Sequence, residues 1–187
     1  MSEKSKAVFL DRDGTIIEDS GYISSPDQIK FIPGSIEAIK QLNQAGYKVI
    51  IISNQAGIAR GLLTEDMLQT IDKIIHRQIL SGGGHIDASY YCPHHPEHGV
   101  YPYKQVCECR KPHPGLIKRA VRDQALELAG SFMVGDKSSD VETGKRAGVK
   151  TVFVRTGHGR EDETKLKEKP DHRADNLAEA VRWILNG

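Results

Sequence analysis

Two aspartates stand one residue apart where the first apolar run ends, in Asp11-Arg12-Asp13-Gly14-Thr15. If Ala7–Leu10 is a strand, side chains two positions apart point to the same side of the sheet, and both carboxylates meet in one crevice. Such a pair is costly to ionise together unless a cation is present or one carboxyl keeps its proton. That suits a nucleophile beside a general acid, with a divalent metal close by. A plain solvated Asp-Gly turn is the competing reading. Further groups collect at other run ends. Val49–Ile52 leads into Ser53-Asn54-Gln55, and Phe132–Val134 leads into Gly135-Asp136-Lys137-Ser138-Ser139-Asp140. Arg110-Lys111-Pro112 sets two cations just before a helix that Pro114 can open. A hydroxyl, a lysine and carboxylates with a metal are the parts needed to hold a phosphoryl group during transfer.

A second cluster is of a different kind. All 3 cysteines lie between Cys92 and Cys109, and His94, His95, His98 and His113 crowd the same stretch. An odd count precludes complete internal pairing, and clustered soft ligands in a reducing compartment point to a metal before a disulfide. Cys92-Pro93-His94 and Cys107-Glu108-Cys109 supply three thiols and one imidazole, a closed set suited to tetrahedral Zn²⁺. His95 is the alternative to His94, while His98 and His113 read as polar loop residues or a helix-cap neighbour. Three unrelated reduced cysteines in a loop is the competing reading. A closed site leaves no open position for catalysis, so its role is structural: it fixes the loop that delivers Arg110 and Lys111.

Taken in order, Asp11-x-Asp13-Gly-Thr, Ser53-Asn54, Lys111 and Gly135-Asp136-x-x-x-Asp140 resemble the four motifs of the haloacid dehalogenase-like phosphohydrolases, over most of the chain. The resemblance implies that Asp11 is the nucleophile, taking the phosphoryl group as an aspartyl-phosphate. It implies that Asp13 protonates the leaving alcohol and then activates water, and that Ser53 and Lys111 steady the phosphoryl oxygens. Mg²⁺ would sit on Asp11, Asp136 and the backbone carbonyl of Asp13. Asp140 is expected to orient Lys111 or bound water, without ligating the metal directly.

Within that family, Asn54–Gly61, Tyr91–Pro96 and Cys107–Pro112 resemble the bacterial branch that acts on D-glycero-D-manno-heptose 1,7-bisphosphate. Members of that branch remove the C7 phosphate and leave the anomeric one, in making heptose for lipopolysaccharide or other surface glycans. By this resemblance the substrate is met by Asp19, Ser20, Gly21 and Tyr22, by Ser53, Asn54, Gln55 and Ala56, and by Arg110, Lys111 and Lys137. A bisphosphate also gives a role to Arg60, which as readily reads as a solvated surface charge. The alternatives are a histidinol-phosphate phosphatase, whose gap between the histidine and the cysteine pair tends to be shorter, and a polynucleotide end phosphatase. A zinc-stabilised binding module without catalysis is a third; the intact set Asp11, Asp13, Lys111 and Asp136 speaks against it.

The elements that must position these groups alternate. Ala7–Leu10, Val49–Ile52, Ala88–Tyr91, Phe132–Val134 and Thr151–Val154 carry apolar residues at consecutive positions, the pattern of strands buried on both faces. Helical spacing runs from Pro33-Gly34 through Ile36, Ile39 and Leu42 to near Gly46. Thr64 is placed to cap a helix bearing Met67, Leu68, Ile71, Ile74 and Ile75 on one face, and Gly82–Gly84 to end it. Helices are also predicted over Pro114–Leu128, Ser138–Ala147 and Asn176–Leu185. The expected fold is α/β: a three-layer Rossmann-like sheet, mostly parallel, capless, with a zinc-binding loop insertion over about residues 92–110. Only 39 residues separate Asp13 from Ser53, room for a flap and one helix but no cap domain. Arg155–Asp175 is charge-dense and reads as a mobile surface loop.

Composition bounds the rest. The chain has 187 residues, 38% hydrophobic and 27% charged, which suits a single folded domain over residues 1–187. Lys plus Arg (26) nearly balances Asp plus Glu (25), giving a net charge of +1 and little support for nucleic-acid binding. No apolar run approaches a membrane span. Met1–Lys6 is polar and lacks the apolar core of a signal peptide. A cytoplasmic monomer acting on a small sugar bisphosphate, without membrane contact, is the expectation.

Overall fold

The computed structural model describes residues 4–187. Met1–Glu3, half of the polar lead read above, lie outside the described residues. Six strands form one sheet: β1 (Ser5–Leu10), β2 (Lys48–Asn54), β3 (Ala88–Cys92), β4 (Leu126–Gly135), β5 (Lys150–Val154) and β6 (His172–Ala174). Their order is β3-β2-β1-β4-β5-β6, and every pairing is parallel.

The consecutive apolar residues of the strands feed two cores. Val8, Leu10, Val49, Ile51 and Val134 face the side covered by α1 (Ser35–Gln44), α2 (Glu65–Ser81) and α6 (Leu177–Asn186). Ala7, Phe9, Ile50, Ile52 and Met133 face α3 (Gly115–Asp123) on the other side. There α4 (Ser138–Ala147) packs Gly144 so tightly that a Cβ would overlap Met133 and Thr151. The side-chain oxygens of Thr64 and Asn176 accept the backbone N–H of Met67 and Glu179, closing the first turns of α2 and α6. Between β1 and β2 lie only a turn, a single 3-10 turn at Pro26–Gln28 and α1, so no cap is inserted there. Among the described residues, no helix is long and apolar enough to cross a membrane.

Two expectations need correction. The helix opened at Pro114 ends at Asp123, and Leu126–Leu128 belong to β4. Ala125 takes φ +50°, which breaks the helix, and Leu126 is buried and pairs with Ser5. The register with β1 then slips between Lys6 and Val8, where Ser131 Oγ accepts the N–H of Ala7. Periodicity extends the helix here because Leu126 and Leu128 continue its apolar spacing, while the glycine and small residues that follow carry no strand pattern. The second correction concerns Arg155–Asp175. It carries the short helix α5 (Gly159–Asp162) and the edge strand β6, which pairs with β5. Its charges neutralise one another: Arg155 forks Glu163 and reaches Asp175, and Arg173 also meets Glu163. Charge density here reflects an ordered ion-pair network.

Candidate active site

The carboxyl ends of β1, β2 and β4 converge on one crevice. In the order β3-β2-β1-β4-β5-β6 the connections change direction between β1 and β4, which is where an open α/β sheet binds ligands. Asp11 follows β1 and Asp136 follows β4, directly across that switch.

Lys111 is the hub. Its Nζ lies 3.0 Å from Asp11 Oδ1 and 2.6 Å from Asp140 Oδ1, and it donates to the Ile52 carbonyl at 3.0 Å. Burial by itself pushes Asp11 up, but Lys111 and then Lys137 overrule it and hold the carboxyl below its ordinary value. Asp11 is thereby kept as the carboxylate a nucleophile must be. Asp136 goes the other way: burial, then the charges of Asp11 and Asp140, push it up to about 8. Asp140 rises to about 6 through burial, against the pull of Lys111. Asp140, expected to orient Lys111 or bound water, contacts the Lys111 ammonium directly.

Carboxylate oxygens of Asp11, Asp136 and Asp140 lie within 4.8 Å of one another. Asp136 is fully buried; its Oδ2 accepts the N–H of His158 at 2.9 Å, while its Oδ1 has no hydrogen-bond partner. Three buried carboxylates against one lysine, with an Asp136 oxygen left unpartnered, leave negative charge that a hard divalent cation would balance. With Asp140 committed to Lys111, Asp11 and Asp136 are the side chains that fit such a cation. The Asp13 side chain is not in this cluster.

Asp13 instead faces Arg12 and Gln55. Arg12 is fully buried and forks both carboxylate oxygens at 3.0 and 2.9 Å, and Gln55 Nε2 donates to Oδ2 at 2.7 Å. Burial still wins, with help from the Asp11 charge, and raises Asp13 above its ordinary value. A carboxyl that retains its proton more readily is what a general acid requires. Ser53, buried at the end of β2, accepts from Gln55 Nε2 at 3.0 Å. Asn54 clamps the loop opposite: its Oδ1 accepts the Lys111 N–H at 3.0 Å and its Nδ2 donates to the Lys111 carbonyl at 3.1 Å.

A cleft of about 290 Å³ opens beside these groups, lined by Asp13, Asp19, Gly21, Tyr22, Asn54, Gln55, Lys137 and His158. Lys137 Nζ lies 3.0 Å from Asp19 Oδ2, tying the flap to the β4 end. Ser20 and Ala56 flank this lining without forming part of it. Arg110 is not part of this lining: it donates to the His94 carbonyl at 3.0 Å and borders a second hollow with Val106, Lys111 and His113. Arg60 sits 5.8 Å from the Tyr22 ring, at the rim.

The soft-ligand cluster is formed by Cys92, His94, Cys107 and Cys109. Cys109 Sγ lies 3.2 Å from both other sulfurs and 3.3 Å from His94 Nδ1, and Cys92 and Cys107 are 3.6 Å apart. Four such atoms closing on one point match a tetrahedral metal site. His95 is turned away; its Nδ1 accepts the N–H groups of Glu97 and His98. Hydrogen bonds from Cys92, above all, pull Cys109 down to about 5.

Three groups escaped the sequence reading. Arg12 was passed over as the spacer between two aspartates. Thr156 and His158 lay in the supposed loop, yet Thr156 Oγ1 donates to the Gly14 carbonyl at 2.6 Å and His158 Nε2 sits 3.3 Å from Asp19 Oδ2. Their position just past the carboxyl end of β5 was the available signal.

Comparison with known proteins identifies the family. The haloacid dehalogenase-like hydrolase family matches residues 8–96, and a HAD-hydrolase-like family matches residues 108–180. The chain is 40% identical to D-glycero-beta-D-manno-heptose-1,7-bisphosphate 7-phosphatase of Salmonella typhi, over 100% of this chain and 93% of the relative. It is 46% identical to the Pasteurella multocida protein of the same name, over 81% of this chain and 83% of the relative. Among solved structures, D,D-heptose 1,7-bisphosphate phosphatase from B. bronchiseptica, complexed with magnesium and phosphate, superimposes with a TM-score of 0.87 at 36% identity, covering 97% of this chain and 98% of that one. With relatives this similar along its whole length, the chain belongs to the D-glycero-beta-D-manno-heptose-1,7-bisphosphate 7-phosphatase family of haloacid dehalogenase-like hydrolases.

Proposed function

We propose that this chain is a Mg²⁺-dependent phosphatase that removes the C7 phosphate of D-glycero-D-manno-heptose 1,7-bisphosphate, supplying heptose for lipopolysaccharide or other surface glycans. The observation that carries the reading is the buried Lys111 held between Asp11 and Asp140, beside an Asp136 oxygen with no partner. In the first step, an Asp11 carboxylate oxygen attacks the C7 phosphorus. The bond from phosphorus to the C7 oxygen breaks, and Asp13 gives its proton to that departing oxygen. In the second, the Asp13 carboxylate takes a proton from water as that water attacks the phosphorus, freeing phosphate and restoring Asp11. Ser53 donates to, and Lys111 neutralises, the phosphoryl oxygens as charge shifts onto them. When bound, Mg²⁺ adds Lewis-acid neutralisation of the phosphoryl charge, held by Asp11, Asp136 and the Asp13 carbonyl.

Asp19, Gly21, Tyr22, Asn54, Gln55 and Lys137 supply the walls against which the sugar is read, with Ser20 and Ala56 behind them. Arg110 contributes to recognition from the loop side. Zn²⁺ on Cys92, His94, Cys107 and Cys109 has a structural task, because Arg110 and Lys111 follow Cys109 immediately. The chain works as a single-domain cytoplasmic monomer. Without a cap, water exclusion and selectivity fall to these loops.

The test is kcat/KM with Mg²⁺ for the α- and β-heptose bisphosphates, fructose 1,6-bisphosphate and histidinol phosphate. A heptose bisphosphate should lead by more than about tenfold. Preference for histidinol phosphate would overturn the substrate assignment.

A further inference from the structure

The segment between β5 and α5 is built around Asp136. Thr156 Oγ1 donates to the Gly14 carbonyl at 2.6 Å, which ties the segment to the loop that follows Asp13. The next residue, Gly157, adopts φ +57°, and a Cβ there would overlap both Asp136 Oδ2 and the Gly14 backbone. Gly14 itself has φ +84°, and a Cβ on it would overlap the same Asp136 oxygen. His158 then donates its backbone N–H to Asp136 Oδ2 at 2.9 Å. Gly159 closes the turn against the Val154 carbonyl, with no room for a side chain.

Two glycines therefore wall the Asp136 carboxylate, and one N–H saturates one of its oxygens. The other oxygen, Oδ1, is buried without a partner. A carboxylate that is free to rotate would exchange its two oxygens between the donor and the cation. Here Gly14 and Gly157 both pack against Oδ2 and the His158 N–H is directed at it, which holds that oxygen in place and leaves Oδ1 to the cation.

We infer that Thr156, Gly157 and His158 form a positioning turn that presents Asp136 Oδ1 to the divalent cation. The inference rests on the reading of Asp136 as a cation ligand. Partners that orient a ligand in this way typically govern metal affinity by about 10–100-fold. Their effect arises before any chemistry, so it is visible in binding itself. Thr156 acts through Gly14 and Asp136 and touches no substrate in this account.

The test is Mn²⁺ binding to the zinc-containing, full-length protein, followed by electron paramagnetic resonance with Mg²⁺ as competitor. Asp136→Asn serves as the control for the underlying site. Thr156→Val and Gly157→Ala should weaken Mn²⁺ by about tenfold or more, and Thr156→Ser, which keeps the hydroxyl, should bind as the wild type does. Zinc content should be unchanged in all of them. If Gly157→Ala does not fold, Thr156→Val decides. Wild-type affinity in Thr156→Val, with affinity lost in Asp136→Asn, would overturn the positioning role and leave the cation site standing. Undiminished affinity in Asp136→Asn itself would remove the site and the inference together.

Discussion

Replacing Lys111 by Met gives the sharpest separation between structural and catalytic consequences. The ammonium lies 3.0 Å from Asp11 and 2.6 Å from Asp140, and its side chain is 2% exposed, so solvent screens it little. Methionine fills much of the same volume but leaves two carboxylates buried without their cation. Breaking a buried pair in this one-sided way costs about 3–5 kcal/mol. The deficit should depend on pH. Lys111 holds Asp11 below its ordinary value, so this contribution is present above the unfolded carboxyl pKa and lost as pH falls through the folded one. The variant's deficit should therefore be largest near neutral pH and shrink under acid conditions, where its carboxyls take up protons. Urea unfolding without added Mg²⁺, at several pH values, reads this directly. Turnover should drop about 10²–10³-fold, the usual loss when one donor to the reacting oxygens is removed. A Lys111→Met protein with wild-type unfolding midpoint and wild-type kcat would refute the electrostatic reasoning at its base.

Asp13→Asn should slow the first step, read as leaving-group release in a rapid-quench burst, by about 10²–10⁴-fold on the heptose bisphosphate but far less on p-nitrophenyl phosphate, whose leaving group needs no proton, while the water attack that Asp13 assists should slow for both; equal losses in the burst would argue against general acid catalysis. Asp136 is pushed up to about 8, so between roughly pH 4 and 8 the native state holds a proton the unfolded chain has released. Metal-free stability should then fall as pH rises through that window, and Mg²⁺ binding at neutral pH should release a proton, measured by calorimetry in buffers of different ionisation enthalpy. Heats that do not vary with the buffer would contradict this. Metal analysis should find about one zinc per chain, lost in Cys109→Ser together with most of kcat as Lys111 loses its mooring; a metal-free, fully active protein would refute the structural role.

Much of the site was legible because its residues sit at the ends of apolar runs. Consecutive burial of Ala7–Leu10 and Val49–Ile52 marks strands covered on both faces, and parallel crossovers bring their carboxyl ends to one edge. That brings Asp11, Asp13, Ser53 and Asp136 together as candidates, and the resemblance distinguishes their roles. The cluster of Cys92, His94, Cys107 and Cys109 was legible for a different reason: soft side chains are scarce, so their grouping is informative. What stayed hidden depended on contacts between distant segments. The irregular first half of β4 is held by pairing with β1 and by Ser131, which no local pattern announces. Arg155–Asp175 looked unstructured because its stabilising interactions are ion pairs, indistinguishable in sequence from solvated charge. The same masking concealed Thr156 and His158. The bond from the Arg110 guanidinium to the His94 carbonyl is likewise a contact between distant segments that no local pattern announces.

The central claim is that Asp11 carries the phosphoryl group. Borohydride quenching during turnover of the heptose bisphosphate reduces an aspartyl-phosphate to homoserine, and tryptic cleavage after Lys6 and Arg12 isolates Ala7–Arg12, which contains Asp11 and not Asp13. The account predicts homoserine at position 11 in that peptide. Turnover with Asp11 unmodified, or with the reduced residue found elsewhere in the chain, would contradict it.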